Sequence, residues 1–291
     1  MKKITCICMI LAAVFTISAC GGNKTNVQES VVKKEAPQTE GFQPEKTEIT
    51  KKDDFSKDGL SADVTGIAYE EGVTKIQIHV KNDLDEEVNV ITANLSVNGM
   101  MSNDSMFISV PAKSEANGAV AIGNSWLGEM GIQQIAELEF IVKAFNDMNN
   151  EILTSDVLHF ETNAPASYKQ SYDDSGFEIY NDKGVRILAR TLQKSRLSED
   201  MELVFYAEND TDSTISVMAQ DVSVNGIAVD PLFVLTVGAG KKAVDTMVFY
   251  DTELQEKQIT DFETVTASFK AFNDELETVF ATEALQVPVS E

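Results

Sequence analysis

One pentapeptide, Lys-Ala-Phe-Asn-Asp, occurs twice in the chain, at residues 143–147 and at residues 270–274, which is 127 positions later (270 − 143 = 127). The tetrapeptide Ser-Val-Asn-Gly at residues 96–99 recurs at the same distance, at residues 223–226. Self-similarity at one long, fixed spacing indicates a duplicated domain, and two copies are too few for a solenoid array. The chain is therefore expected to contain two folding units of the same design.

The limits of the two units follow from the register of these matches. We assign repeat 1 to residues 58–162 and repeat 2 to residues 176–289, joined by a linker of residues 163–175 that contains one proline and several small polar residues. Upstream of the matched segment the register slips by two positions, which predicts a longer loop in repeat 2 near residues 192–200.

Both repeats alternate apolar and polar residues with a period of two, the pattern of a half-buried β-strand. The apolar positions of two corresponding stretches are Ile76, Ile78 and Val80 in repeat 1 and Leu203, Phe205 and Ala207 in repeat 2. Asn98-Gly99 and Asn225-Gly226 lie between such runs. Asn-Gly favours a two-residue hairpin, because both central residues need a positive φ. The alternation predicts strands that each turn one face to a hydrophobic core.

The apolar positions change parity within one strand of each repeat. The change falls between Val90 and Leu95 in repeat 1, and between Ala219 and Val222 in repeat 2. A β-bulge, or a strand that crosses from one sheet to the other, resets the facing in this way. Both devices occur in sandwiches.

About seven short strands per repeat, separated by turns, predict an all-β fold of two tandem immunoglobulin-like β-sandwiches. The Cys…Trp…Cys pattern of antibody domains is not found in the sequence, so the expectation concerns the architecture alone. The alternation lapses at residues 125–134 and 252–261, where we expect one short helical turn in each repeat.

The first 19 residues have the features of a secretory signal peptide: Lys2 and Lys3, an apolar stretch too short for a membrane span, and small residues before Cys20. The sequence Ile-Ser-Ala-Cys-Gly-Gly that ends this stretch resembles the lipobox of bacterial lipoproteins. The resemblance implies that Cys20 is diacylated and becomes the first residue of the mature chain. It places the protein on the extracellular face of the cell membrane, held by its lipid. The alternative is an ordinary cleaved signal that happens to contain Cys20.

Residues 20–57 are expected to form a lipidated cysteine followed by a disordered tether. The segment is rich in Lys, Glu, Thr and Gln and has no apolar periodicity, so it lacks the apolar surface that would offset its conformational entropy. Cys6 and Cys8 lie in the signal peptide, so the exported part has no thiol for a disulfide, a metal or catalysis.

The chain is strongly acidic, with a formal net charge of −24. Removal of the signal peptide with its two lysines makes the mature chain −26 (−24 − 2 = −26). A surface of this charge repels nucleic acid, which we exclude as a partner, and favours cations.

The lipobox, the tether and the repeated Asn-Asp-x-Asp…Ser-Val-Asn-Gly pattern are together similar to uncharacterised surface lipoproteins of Gram-positive bacteria that carry tandem immunoglobulin-like domains. The resemblance supplies no catalytic residues. The partners it leaves open are an extracellular protein, the cell wall and a small-molecule ligand.

Two loops carry carboxylates at Asp-x-Asp spacing, Asp83 with Asp85 in repeat 1 and Asp210 with Asp212 in repeat 2. Clustered carboxylates at a loop suit a hard cation, so these residues are the candidate Ca²⁺ ligands. Asn and Asp are also favoured turn residues without any metal, and the turn interpretation is preferred. No other cofactor is expected.

Trp126 is the sole tryptophan, and Glu253 occupies its position in repeat 2. An exposed tryptophan would be a candidate ligand contact, whereas a buried one would close an end of the sandwich; we prefer burial.

The sequence contains no thiol nucleophile in the exported part, no Gly-x-Ser-x-Gly and no His-Glu-x-x-His, so we expect the protein not to be an enzyme. The preferred hypothesis is a non-enzymatic binding or spacer module on the cell surface. The alternatives are a transporter-associated solute-binding lipoprotein and a Ca²⁺-dependent adhesion module, with a surface enzyme ranked last.

Overall fold

The computed structural model describes residues 28, 30–35, 39, 41–146, 148 and 150–290. The predicted signal peptide and Cys20 lie outside these residues. The predicted all-β fold class is confirmed, because strands make up nearly all of the regular structure of the described residues, and both helices among them have six residues.

The N-terminal part of the chain and repeat 1 contain the first twelve strands. In chain order these are β1 (Val31–Lys33), β2 (Ile49–Lys52), β3 (Phe55–Lys57), β4 (Leu60–Glu70), β5 (Val73–Asn82), β6 (Val88–Val97), β7 (Met100–Met101), β8 (Phe107–Val110), β9 (Ser114–Gly123), helix α1 (Asn124–Glu129), β10 (Glu137–Phe145), β11 (Glu151–Thr154) and β12 (Leu158–Thr162).

Repeat 2 contains the other ten strands. These are β13 (Phe177–Asp182), β14 (Val185–Lys194), β15 (Met201–Asn209), β16 (Ile215–Val224), β17 (Ile227–Ala228), β18 (Val234–Val237), β19 (Lys241–Phe249), helix α2 (Asp251–Glu256), β20 (Thr264–Asn273), β21 (Thr278–Ala281) and β22 (Leu285–Ser290).

The strands of each repeat form two antiparallel layers around their own hydrophobic core. In repeat 1 the order is β3-β4-β5-β9 in one layer and β2-β12-β10-β6-β8 in the other. Repeat 2 has the same pairings, β13-β14-β15-β19 and β22-β20-β16-β18. The alternating residues predicted to face the core are buried in both repeats, as the strand period requires.

The local signals in the sequence produce the expected turns. Both Asn-Gly pairs have positive φ at both residues, and each joins two strands as a two-residue hairpin. The parity change in each repeat is a β-bulge, marked by positive φ at Asn94 and Asp221 and by a shift in register to the neighbouring strand. Helices α1 and α2 begin where the alternation lapses, and the longer loop of repeat 2 follows Lys194.

The described part of the predicted tether is ordered, and this expectation was wrong. Val31 is fully buried in the core of repeat 2, where β1 lies parallel to both β14 and β22. Strands β2 and β3 precede the predicted boundary of repeat 1 and pair with β12 and β4. Strands of three or four residues are too short to show periodicity, and their partners lie far away in sequence, so composition suggested disorder.

Strand β1 lies on repeat 2 and strand β2 on repeat 1, and we call the described residues from 28 to 47 (28, 30–35, 39 and 41–47) the N-terminal strap. Its Thr39 hydroxyl donates to the carbonyl of Ser125 in α1, at 3.0 Å. Thr47, almost fully buried, donates to the carbonyl of Ile135 at 2.9 Å. The strap thus forms a second connection between the repeats, besides the linker.

Candidate ligand groove between the repeats

The two repeats pack against each other through one outward sheet face of repeat 2. Leu188, Tyr206 and Val244 are neighbours across β14, β15 and β19, and all three pack into the core cluster of repeat 1. The same positions in repeat 1 hold Asp63, His79 and Asn117, which are polar and partly exposed. The repeats therefore contact each other through a sheet face that is apolar in repeat 2, whereas the corresponding face of repeat 1 is polar.

Repeat 1 meets this face with its Asn-Gly hairpin. The backbone N–H of Lys242 donates to the carbonyl of Gly99 at 2.9 Å, and Met100 pairs with Lys242 as a parallel bridge. The Tyr172 hydroxyl of the linker donates to the carbonyl of Asn98. Backbone pairing and a bound linker both oppose a change in the angle between the repeats.

A groove with two connected chambers lies beside this contact. The chambers have volumes of about 380 and 370 Å³, and both are lined by Asn94, Met101 and Thr236. Asn94 is the bulge residue of β6, so the predicted parity change also shapes the wall of the groove. Sites of this size at domain interfaces are the usual location of small-molecule ligands.

The first chamber is mainly apolar. Its walls include Phe140, Ile141 and Val157. Its polar side chains are Glu139 with its two partners, and Asn94, Thr214 and Thr236. Lys241 Nζ forms an ion pair with Glu139 Oε2, and His159 Nδ1 lies 3.4 Å from Glu139 Oε1. The Glu139 carboxylate is only 14% exposed, so its ion pair with Lys241 is largely shielded from water. This ion pair fixes the turn between β18 and β19 on repeat 1.

The second chamber combines an aromatic ring with acids and amides. Trp126 of α1 lines it together with Asp104, Asn103 and Asp245 of β19. Burial raises the pKa of the Asp245 carboxyl, which accepts a hydrogen bond from the backbone N–H of Thr246 at 2.8 Å. Asp104 accepts a hydrogen bond from the Ser102 hydroxyl at 2.7 Å. Neither acid has an ion-pair partner among the described residues.

The candidate Ca²⁺ ligands lie on two separate, exposed loops. Lys81 Nζ lies 2.8 Å from Asp83 Oδ2, and Lys113 Nζ lies 2.9 Å from Asp85 Oδ1. Asp210 and Asp212 are exposed on the corresponding loop of repeat 2. In the part of the chain that the structure describes, no group of three or more histidine or acidic side chains is placed to hold a metal ion. Asp83 and Asp85 are thus each paired with a lysine.

The residue that organises each of these loops is the asparagine before the acids. Asn82 is fully buried, and its Nδ2 donates to the carbonyls of Glu86, Val110 and Pro111 at 2.8, 3.0 and 3.1 Å. Asn209 repeats the arrangement in repeat 2, with the carbonyls of Ser213, Val237 and Gly238 as acceptors. The recurring Asn-Asp pair is thus a structural motif of the duplicated unit.

Trp126 is half-buried: it packs against the core of repeat 1 and also lines the groove. The other groove residues Glu139, Lys241 and Asp245 were not predicted from the sequence. One available signal was in β15, where Val204 and Tyr206 are apolar at positions that should face solvent. A strand that is apolar at both parities indicates a second buried face.

Neither of the helices in the described residues has the length and apolar character needed to cross a membrane.

Comparison with known proteins places the chain in no family. No family profile matches the sequence, and no curated protein shows significant sequence similarity to it. Among solved structures, it is similar to a protein of unknown function from Porphyromonas gingivalis W83, with 8% identity, a TM-score of 0.23, and coverage of 80% of this chain and 98% of that chain.

Two further solved structures are similar at the same level. One is a bacterial adhesin from Mobiluncus mulieris, with 9% identity, a TM-score of 0.21, and coverage of 74% of this chain and 79% of that chain. The other is red sea bream transglutaminase, with 8% identity and a TM-score of 0.22, where the match covers 81% of this chain but only 32% of the enzyme. Superposition at this level carries no argument about function, which must come from the groove.

Proposed function

We propose that the protein is a non-enzymatic binding protein of the cell surface, and that the groove between the repeats is its ligand site. The observation that carries this proposal is the pair of connected chambers at a domain interface, the first with mainly apolar walls and the second lined mostly by polar side chains beside Trp126. The diacylated Cys20 would hold the exported chain on the outer face of the membrane.

The composition of the groove favours binding over catalysis. Among the described residues, no serine or threonine hydroxyl is hydrogen-bonded to a histidine, which is the arrangement that activates a hydroxyl nucleophile. The Thr236 hydroxyl instead lies 3.2 Å from the hydroxyl of Ser216. The Glu139 carboxylate is neutralised by Lys241, which suits a fixed structural pair better than a proton-transfer group.

Connections between the two repeats keep the groove open. Three connections join the repeats beside it: the strap, the linker and the hairpin pairing at Gly99. A transporter-associated receptor that closes two lobes on its solute remains the alternative, and these connections oppose such a closure. We therefore expect a ligand to bind without a large change in the angle between the repeats.

Filling the groove tests the proposal for a ligand of any identity. Thr236 is exposed and lines both chambers, so Thr236→Tyr would fill their junction. Ser109 holds the same position in repeat 1 (236 − 127 = 109), away from the groove, and Ser109→Tyr is the matched control. Compounds that raise the melting temperature of the exported chain in a library of sugars, peptides and amines should lose that effect in Thr236→Tyr and keep it in Ser109→Tyr. Equal responses of the two variants would contradict the proposed site.

The proposed anchor has a separate test. Cells that express the wild-type chain and are grown with labelled palmitate should yield a labelled protein in the membrane fraction, whereas Cys20→Ser should be unlabelled. An unlabelled wild-type protein would refute lipidation and leave the ligand groove unaffected.

A further inference from the structure

Asp245 occupies a position where a carboxylate is costly. It lies on the same side of β19 as Ala243 and Met247, which are buried in the core of repeat 2. Among the described residues, its carboxylate accepts one hydrogen bond, from the backbone of the next residue, and no cationic side chain pairs with it. Partly buried charges without a partner destabilise a fold, so this acid has no evident structural purpose.

The duplication provides a comparison for this site. The position of Asp245 in repeat 1 is Gly118 (245 − 127 = 118), so the fold itself does not require an acid there. Trp126 and Asp104 correspond to Glu253 and Pro231 in repeat 2 (126 + 127 = 253; 104 + 127 = 231). Three side chains without chemical counterparts in the other repeat thus converge on one chamber.

Other carboxylates near the contact between the repeats have basic partners. Glu139 pairs with Lys241, Glu129 with Arg196 at 2.6 Å, and Glu208 with Lys242 at 3.5 Å. Lys241 and Lys242, which precede the lining residue Ala243 in β19, are therefore already engaged by these acids. The two acids of the second chamber are left to face its interior without a countercharge.

The chemistry of the chamber suits an organic cation better than a metal ion. A tryptophan ring attracts ammonium and quaternary ammonium groups through its negative face, and a desolvated carboxylate adds a direct charge interaction. Two carboxylates are too few for a protein Ca²⁺ site, which takes six or more oxygen ligands. The net charge of −24 also raises the local concentration of cations around the chain.

We propose that the second chamber binds an organic cation, with Trp126 as its aromatic wall and Asp245 as its counter-ion. The inference rests on the proposed function of the groove and specifies the class of ligand. The apolar part of the ligand would extend past Met101, which lines both chambers, towards Ile141 and Val157.

The sole tryptophan makes binding directly observable. Titration of the full exported chain with choline should change the fluorescence of Trp126 to saturation. The uncharged isostere of choline, in which carbon replaces the nitrogen, should bind at least about tenfold more weakly because it lacks the charge. Equal affinity for the two probes, or no response to choline at about 10 mM, a generous limit for a weak site, would overturn the inference.

Two matched variants separate a specific counter-ion from general charge. Asp245→Asn should weaken choline binding by about tenfold or more, whereas Asp210→Asn, which removes the same charge from an exposed loop, should not change it. Asp104→Asn gives a second variant from the same chamber, and a melting curve of each variant checks its folding. Equal effects of Asp245→Asn and Asp210→Asn would overturn the assignment of Asp245.

A pH series adds an independent readout. Burial raises the pKa of Asp245, so choline affinity should fall on acidification at a higher pH than the ordinary aspartate range. Asp104 is the other charged side chain that lines the second chamber, whereas Lys241 lines the first chamber. Asp245→Asn should remove the part of the pH dependence that Asp245 causes. If choline and its isostere bind equally and Thr236→Tyr abolishes both, the groove stands as a ligand site and only the cation inference fails.

Discussion

At the scale of single residues, Asn82 shows how a buried amide organises a loop. Its Nδ2 donates to three backbone carbonyls and its Oδ1 accepts from the backbone N–H of Leu84 at 2.9 Å, so the loop folds around the side chain. Asn209 does the same in repeat 2. The neighbouring aspartates point to solvent, where turn propensity and solubility explain them without a metal.

Loss of this amide should be costly. Asn82→Ala leaves buried carbonyls without a donor, and we expect the free energy of unfolding to fall by about 2–3 kcal/mol, measured by urea denaturation. Asp85, whose side chain is 94% exposed, gives the control: Asp85→Asn should change the stability by less than about 0.5 kcal/mol. A larger effect of Asp85→Asn than of Asn82→Ala would contradict the structural role of the asparagine.

At the scale of elements, the outward face of β14, β15 and β19 determines how the repeats associate. The corresponding face of repeat 1, on β4, β5 and β9, carries polar side chains and stays accessible. The row of Leu188, Tyr206 and Val244, where repeat 1 has polar residues, therefore makes this sheet face of repeat 2 an interface. Burial of apolar area stabilises this contact, at roughly 25 cal/mol per Å².

A single substitution in this face should disrupt the contact between the repeats. Leu188→Asp restores the residue type of repeat 1 and places a charge in a fully buried position. We expect the wild-type chain to unfold in one cooperative transition and Leu188→Asp to unfold in two, the less stable of which is lowered by several degrees, as measured by calorimetry. Gln77→Asp puts the same charge on the exposed face of repeat 1 and should leave the transition intact. A single unshifted transition in Leu188→Asp would refute this view of the interface.

At the scale of the whole molecule, the N-terminal strap joins parts of the chain that are distant in sequence. Strand β1 pairs with β14 and with β22, near the opposite end of the chain, and the strap then contacts α1 of repeat 1. Repeat 2 is thus completed by residues that precede repeat 1. If Cys20 carries the anchor, the eleven residue-to-residue steps from Cys20 to Val31 (31 − 20 = 11) span at most about 40 Å, so repeat 2 would be held close to the membrane.

Detachment of β1 from repeat 2 should expose the two strands that pair with it. Val31→Asp places a charge in the core, and we expect faster hydrogen exchange in β14 and β22 together with a loss of stability of about 2–4 kcal/mol. Glu35→Gln, an exposed change in the same segment, is the control and should leave exchange unchanged. Unaltered exchange in Val31→Asp would show that β1 is dispensable.

The sequence by itself determined the features that depend on near neighbours along the chain. Alternation at Ile76, Ile78 and Val80 predicts a strand with one buried face, and Asn-Gly favours a two-residue hairpin. A change of parity predicts a bulge or a strand that crosses between sheets. The fixed spacing of 127 residues made the duplication visible without any structure. These are local constraints of backbone geometry, so a single segment is enough to reveal them.

Only the tertiary structure decided which outward face became an interface and where the groove lies. Tyr206 is buried because repeat 1 packs against it. The pairing of Val32 with Thr191 joins strands that lie 159 residues apart (191 − 32 = 159). The chamber brings together Trp126, Asp104 and Asp245, which no spacing in the sequence connects. Such sites arise from packing between distant elements, and the free energy of that packing is not encoded in any one stretch of the chain.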